Sequence, residues 1–231
     1  MPRRDAFGHM SKTQKQKVSK VRHKPFEELT LMDDYMFAAI MNDPANLRPL
    51  LEILTERKIT SIKPAEMQKT EKEGYESHGV RLDLYVVDEE DSIYNVEVQT
   101  SAKKNLPKRM RYYQSVMDID VLRPAADYTA LGESFVIFIC NYDPYKMGDC
   151  IYRFENRHTE KPGMKFGDTT YKIVVNTKGS VENVSAEVKE LILYLREGMV
   201  TGSYSRQLGE AILQVKAKRG KENGVYGNEN T

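Results

Sequence analysis

Apolar positions along this chain switch between helical and strand spacing, and the switches mark its elements. Met36, Phe37, Ile40 and Met41 recur at helical intervals and predict a short helix over 35–41, with Asp33 or Asp34 as N-cap or first-turn acid. Asn42-Asp43-Pro44 interrupts it, and Leu47, Leu50, Leu51 and Leu54 predict a second helix over 45–57 with those leucines inward. Strands are predicted at 59–62 and 66–73 around Pro64, the second polar enough for a sheet edge. Strict alternation takes over at 80–87 and 93–100, joined by Asp88-Glu89-Glu90-Asp91, which is a hairpin signal. Residues 108–119 predict a helix, and the continuous apolar run over 134–140 predicts a strand buried on both faces. Shorter strands at 150–154 and 170–175, a helix over 185–196 capped by Ser185, and a last helix over 203–217 complete the pattern. Strands interleaved with helices imply a mixed sheet with helices packed on it.

The hairpin carries more information than its neighbours. Leu82, Leu84 and Val86 share one face of the first strand, and Arg81, Asp83, Tyr85 and Val87 the other. On the second strand Tyr94, Val96 and Val98 oppose Ile93, Asn95, Glu97 and Gln99. The apolar faces must coincide, because a slip of one residue would drive charges into the core. A three-residue loop of Glu89, Glu90 and Asp91 satisfies that condition, whereas a two-residue loop sets Leu82 against Glu97. The register then places Asp83 across from Glu97, Arg81 across from Gln99 and Tyr85 across from Asn95.

Composition narrows the class. The 231 residues are 40% hydrophobic and 30% charged, with no apolar stretch long enough for a transmembrane helix and no signal peptide, so a cytoplasmic location with no membrane partner is expected. Two cysteines and four scattered histidines exclude a disulfide framework and a zinc-type cluster. The net charge of +1 hides an asymmetry: residues 1–24 hold eight Lys or Arg against Asp5 alone, so the rest is acidic. That basic tail is polar and aperiodic and is expected to be disordered, either as a plain solvated tail or as an arm drawn to phosphate. The expected division is a tail over 1–25, one domain over 26–217 and a flexible end over 218–231.

Opposed carboxylates on a hairpin repel unless a cation lies between them. A cradle of Asp83 and Glu97 suits Mg²⁺, which takes oxygen ligands and is commonly held by one or two carboxylates with phosphate oxygens. The plain alternative is the solvent-facing side of an ordinary hairpin, and the pattern alone leaves both open.

The chain resembles the bacterial PD-(D/E)xK nuclease family transposases, relatives of the recombination-promoting nucleases. The matching stretches are Asp34-Tyr35-Met36-Phe37, Val80-Arg81-Leu82-Asp83-Leu84-Tyr85, Tyr94-Asn95-Val96-Glu97-Val98-Gln99 and the run from Leu106 to Gln114. Ser134 to Cys140 and Tyr152 to Arg157 also match, so the likeness covers about residues 28–196. It implies an α/β fold with a restriction-endonuclease-like mixed β-sheet flanked by helices, in a single domain. It implies a Mg²⁺-dependent DNA endonuclease, with Mn²⁺ able to substitute, acting on double-stranded DNA and able to form a homodimer. Asp83 and Glu97 would be metal ligands and catalytic, with Asp34 a third ligand directly or through water, against simple capping. Gln99 stands where the superfamily's Lys would stand, and it can orient a water or phosphate oxygen but carries no charge. Arg109 and Tyr113 share a helix face; if it looks toward the carboxylates both would bind phosphate, Arg109 partly replacing the missing Lys, against the plain alternative of a half-buried core tyrosine and a solvated arginine. The rivals are a ribonuclease with the same site and a catalytically weak nucleic-acid-binding or interaction protein.

Overall fold

The computed structural model describes residues 24–63, 66–67, 70–71, 80–81, 84–102, 104–122 and 124–226. The basic tail, apart from Lys24, lies outside these residues, and so do Leu82 and Asp83. After a 3₁₀ turn at Phe26–Glu28 come α1 (Asp34–Met41) and α2 (Pro44–Thr55), then β1 (Glu66–Met67), β2 (Thr70–Glu71) and β3 (Val80–Arg81). β4 (Leu84–Val87) and β5 (Ile93–Gln99) lead into α3 (Leu106–Val121), followed by β6 (Ser134–Cys140), β7 (Ile151–Phe154) and β8 (Thr170–Asn176). α4 (Ala186–Glu197) and α5 (Ser203–Tyr226) close the chain, α5 running past the end predicted at 217.

Six strands form one mixed sheet in the order β1-β4-β5-β6-β8-β7, and β2 pairs with β3 beside it. β4 and β5 are antiparallel, β5, β6 and β8 are parallel, and β7 runs back along β8. Parallel neighbours need a crossover, which α3 supplies between β5 and β6. The single strand predicted over 66–73 is divided: β1 sits at the sheet edge, as its polar sequence predicts, and β2 belongs to the small sheet. The hairpin register is the one that matching apolar faces requires: Tyr85 pairs with Asn95 and Leu84 with Val96. Glu89, Glu90 and Asp91 form the three-residue loop, held by Asp88 Oδ1, which accepts from Glu90 N and Ser92 N at 2.9 Å each. Asp91 takes the left-handed conformation (φ 60°) that such loops need.

Another predicted strand is missing. Residues 59–62 are not a strand; only Ile62 makes a bridge, to Asp88. The segment is held by a side chain instead, since Glu89 accepts from Thr60 N at 2.6 Å and from Ser61 N at 3.0 Å. Those bonds, led by one from the Thr60 hydroxyl, lower the Glu89 carboxyl to about 2.

The sheet has two covered faces. On one, Val86, Val96, Val98, Ile137, Ile139 and Val175 pack with α1, α2, α4 and α5 in the main apolar core. Leu47, Leu50, Leu51 and Leu54 of α2 are all buried there, each worth about 1.5–3 kcal/mol of burial. Ser185 caps α4 by accepting from Val188 N at 3.2 Å, and Gly198 ends it at φ 70°. On the other face α3 lies over Ile93, Val136, Phe138 and Cys140 through Leu106, Met110, Tyr113 and Met117. No helix among the described residues is long and apolar enough to cross a membrane.

Candidate functional site

The polar side of β5 lies beneath α3, not in solvent. Alternation puts Asn95, Glu97 and Gln99 on the face that α3 covers, and all three are buried, Glu97 at 3% exposure. Strand β5 is therefore buried on both sides along its whole length. A carboxylate in such a place requires countercharge or hydrogen bonds, because desolvating it alone costs several kcal/mol or more.

α3 supplies countercharge. Pro107 stands at the start of the helix, where its missing N–H costs nothing, and two residues on, Arg109 reaches down toward the strand. Arg109 Nη2 lies 3.7 Å from Glu97 Oε2 and donates to the Tyr113 hydroxyl at 2.9 Å. Arg109 Nη1 donates to Gln99 Oε1. The guanidinium also lies 5.0 Å from the Phe138 ring centroid and 5.4 Å from that of Tyr113. Arg109 is thus held in place by the helix that carries it, by β5 and by β6, with its side chain still 23% exposed. Gln99 Nε2 is also engaged, donating to Ser101 O at 2.9 Å and Ser101 Oγ at 3.0 Å.

Further polar groups share this face. Asn95 Nδ2 approaches Glu97 Oε1 at 3.4 Å, and Asn95 Oδ1 is buried with no hydrogen-bond partner. The Tyr85 hydroxyl donates to Asp120 Oδ2 at 3.1 Å. Gln114 donates to Ser134 Oγ at 2.5 Å and to Asp118 at 3.2 Å, leaving its own Oε1 unpartnered. Burial raises the Asp118 carboxyl above its ordinary range. A buried oxygen without a donor costs about 1–3 kcal/mol, so two in one layer are a marked departure from apolar packing.

The structure therefore brings Glu97, Gln99, Arg109 and Tyr113 together. Asp83, expected opposite Glu97, lies outside the described residues; the described hairpin pairs reach Leu84 with Val96. Arg81, expected opposite Gln99, pairs with Thr70 of the small sheet. Asp34 is not brought in. It is exposed in the first turn of α1, a helix packed on the apolar face of the sheet, and among the described residues it bonds to neither Glu97 nor Gln99. Its neighbour Asp33 is the anchored acid, accepting from Thr30 N at 2.7 Å and Lys24 Nζ at 2.8 Å. Asn95 and Gln114 escaped the sequence reading, although an Asn inside a strand of Val, Ile and Tyr is a disfavoured choice that marks the position.

No group of three His, Cys, Asp or Glu that could hold a metal occurs among the described residues. The Glu97 carboxylate and the orphaned Asn95 Oδ1 on the α3 face are hard oxygen donors, which fit Mg²⁺ or Mn²⁺. A cleft of about 650 Å³ opens elsewhere, between Thr100, Asn141 and Thr177 at the strand ends and Lys24, Asp33 and Lys216. It touches the β5 end at Thr100, and Glu97 does not line it.

Residues 31–164 match the family model described as PD-(D/E)XK nuclease family transposase. No curated protein and no solved structure matches the chain. The mixed sheet flanked by helices agrees with the restriction-endonuclease-like architecture of that family.

Proposed function

The chain belongs to the PD-(D/E)XK nuclease family transposases, and from that premise we propose that it is a Mg²⁺-dependent endonuclease of double-stranded DNA. The observation that carries this reading is the buried Glu97 beside a guanidinium that is tied to Gln99 and Tyr113. Glu97 with Asp83 would hold the divalent ion, which when bound supplies an activated water and neutralises charge at the phosphate. Arg109 would bind the scissile phosphate through its exposed edge and carry the positive charge that Gln99 cannot. Gln99 would act through Arg109, fixing the plane of the guanidinium, with Tyr113 supporting it from the adjacent turn. Asp34 has weaker support as a third ligand, since α1 packs on the other face.

A second reading is a nucleic-acid-binding protein with weak catalysis. It is favoured by Gln99, whose amide is used at both ends by Arg109 and Ser101 and so is not offered to substrate. A plasmid-nicking assay with Mg²⁺ or Mn²⁺ separates the two. The wild-type protein should nick, and Glu97→Gln and Asp83→Ala should each lose on the order of a thousandfold in rate, about 4 kcal/mol of barrier. DNA left intact but bound by the wild-type protein would replace the nuclease with the binding protein; nicking unchanged in both variants would remove these carboxylates from the reaction.

A further inference from the structure

We propose that Asn95 is a positioning residue of the metal site, fixing Glu97 through Nδ2 and accepting a hydrogen bond through Oδ1 from a water on the bound ion. The inference rests on the reading of Glu97 as a ligand. Asn95 is fully buried, and its Oδ1 has no hydrogen-bond partner. Its Nδ2 is 3.4 Å from Glu97 Oε1, and an ionised carboxylate only accepts, so this orientation of the amide follows from the neighbour. The oxygen therefore points away from that contact and needs a donor. Its partners in register do not supply one: the Tyr85 hydroxyl is bonded to Asp120, and Val136 is apolar. The other orphaned amide, Gln114, is bonded to Ser134 and Asp118 and is not bonded to Glu97. Water bound to a divalent cation is a strong donor, and residues behind a ligating carboxylate orient it and tune the affinity. A strand position that would otherwise favour Val or Ile is thus occupied by a group whose hydrogen bonding is completed only when the ion arrives.

The test is Mn²⁺ titration of the full chain, following free Mn²⁺ by electron paramagnetic resonance, beside the thermal midpoint of the metal-free protein. Asn95→Leu and Asn95→Ala should weaken Mn²⁺ binding by about 10–100-fold. The metal-free midpoint of Asn95→Leu should equal or exceed that of wild type, since the unpartnered oxygen is gone. Binding by the Leu or Ala variant within twofold of wild type overturns the inference, and so does a metal-free midpoint of Asn95→Leu well below that of wild type, which would mark a purely structural role. Absence of Mn²⁺ binding by the wild-type protein overturns the metal-site reading beneath it, a result distinct from either.

Discussion

The two faces of β5 are equally dry and differ entirely in chemistry. Tyr94, Val96 and Val98 enter an apolar core shared with four helices, whereas Asn95, Glu97 and Gln99, one step out of phase, lie under α3 among amides and a guanidinium. Burial alone therefore does not distinguish the faces; satisfaction does. The apolar face gains stability from every contact, while the polar face holds a carboxylate and two orphaned amide oxygens that folding by itself disfavours. Groups kept in that condition are functional candidates because stability gives no reason to keep them.

Substitutions on each face should separate stability from activity. The largest effect on folding belongs to the apolar side: Leu51→Ala should cost about 3 kcal/mol, or on the order of 6–12 °C in the thermal midpoint by calorimetry. Nicking by the fraction that remains folded should stay near wild type. A large loss of specific activity in that variant would mean that the faces are coupled. Arg109→Lys on the polar side should do the converse. Charge is kept but the forked contacts to Gln99 and Tyr113 are lost, so the nicking rate should fall about tenfold, some 1.4 kcal/mol, with the midpoint little changed.

The smallest effect sharpens the comparison from outside both faces. The Glu89 carboxyl is lowered to about 2 by its bonds to Thr60 and Ser61, so its contribution is present above the ordinary carboxylate range. It is lost as pH falls toward 2, because the depressed group must then take a proton that the unfolded chain takes earlier. Glu89→Gln lacks this dependence. The gap in thermal midpoint between wild type and variant should shrink between pH 5 and about pH 2, and a constant gap would show that the contacts carry no linkage.

Much of the frame was readable from residue spacing. The inward leucines of α2, the doubly buried β6 and the three-residue hairpin loop follow from periodicity and from the rule that apolar faces coincide. What alternation cannot reveal is whether the polar face it defines is covered. Asn95, Glu97 and Gln99 read the same under α3 as they would in water, and only the crossover from β5 to β6 decides the matter. Residues 59–62 misled for a related reason: their apolar ends suit a strand, but Glu89, 28 residues or more away in sequence, ties down the backbone between them. Asp34, exposed at the start of α1, shows that a family position on a helix does not by itself say which side of the sheet that helix takes.

The crossover has a consequence for how the molecule assembles. Arg109 and Gln99 are bonded across 10 positions of the chain, whereas the apolar side is closed by contacts such as Tyr204 to the carbonyl of Asn46, separated by 158. Loop-closure entropy grows with separation, so the strand–helix unit that carries Glu97, Gln99 and Arg109 can form with little search, ahead of the closure that joins the two ends of the chain. Most of its contacts lie between residues 97 and 113, and Phe138 of β6 then completes the seat of Arg109.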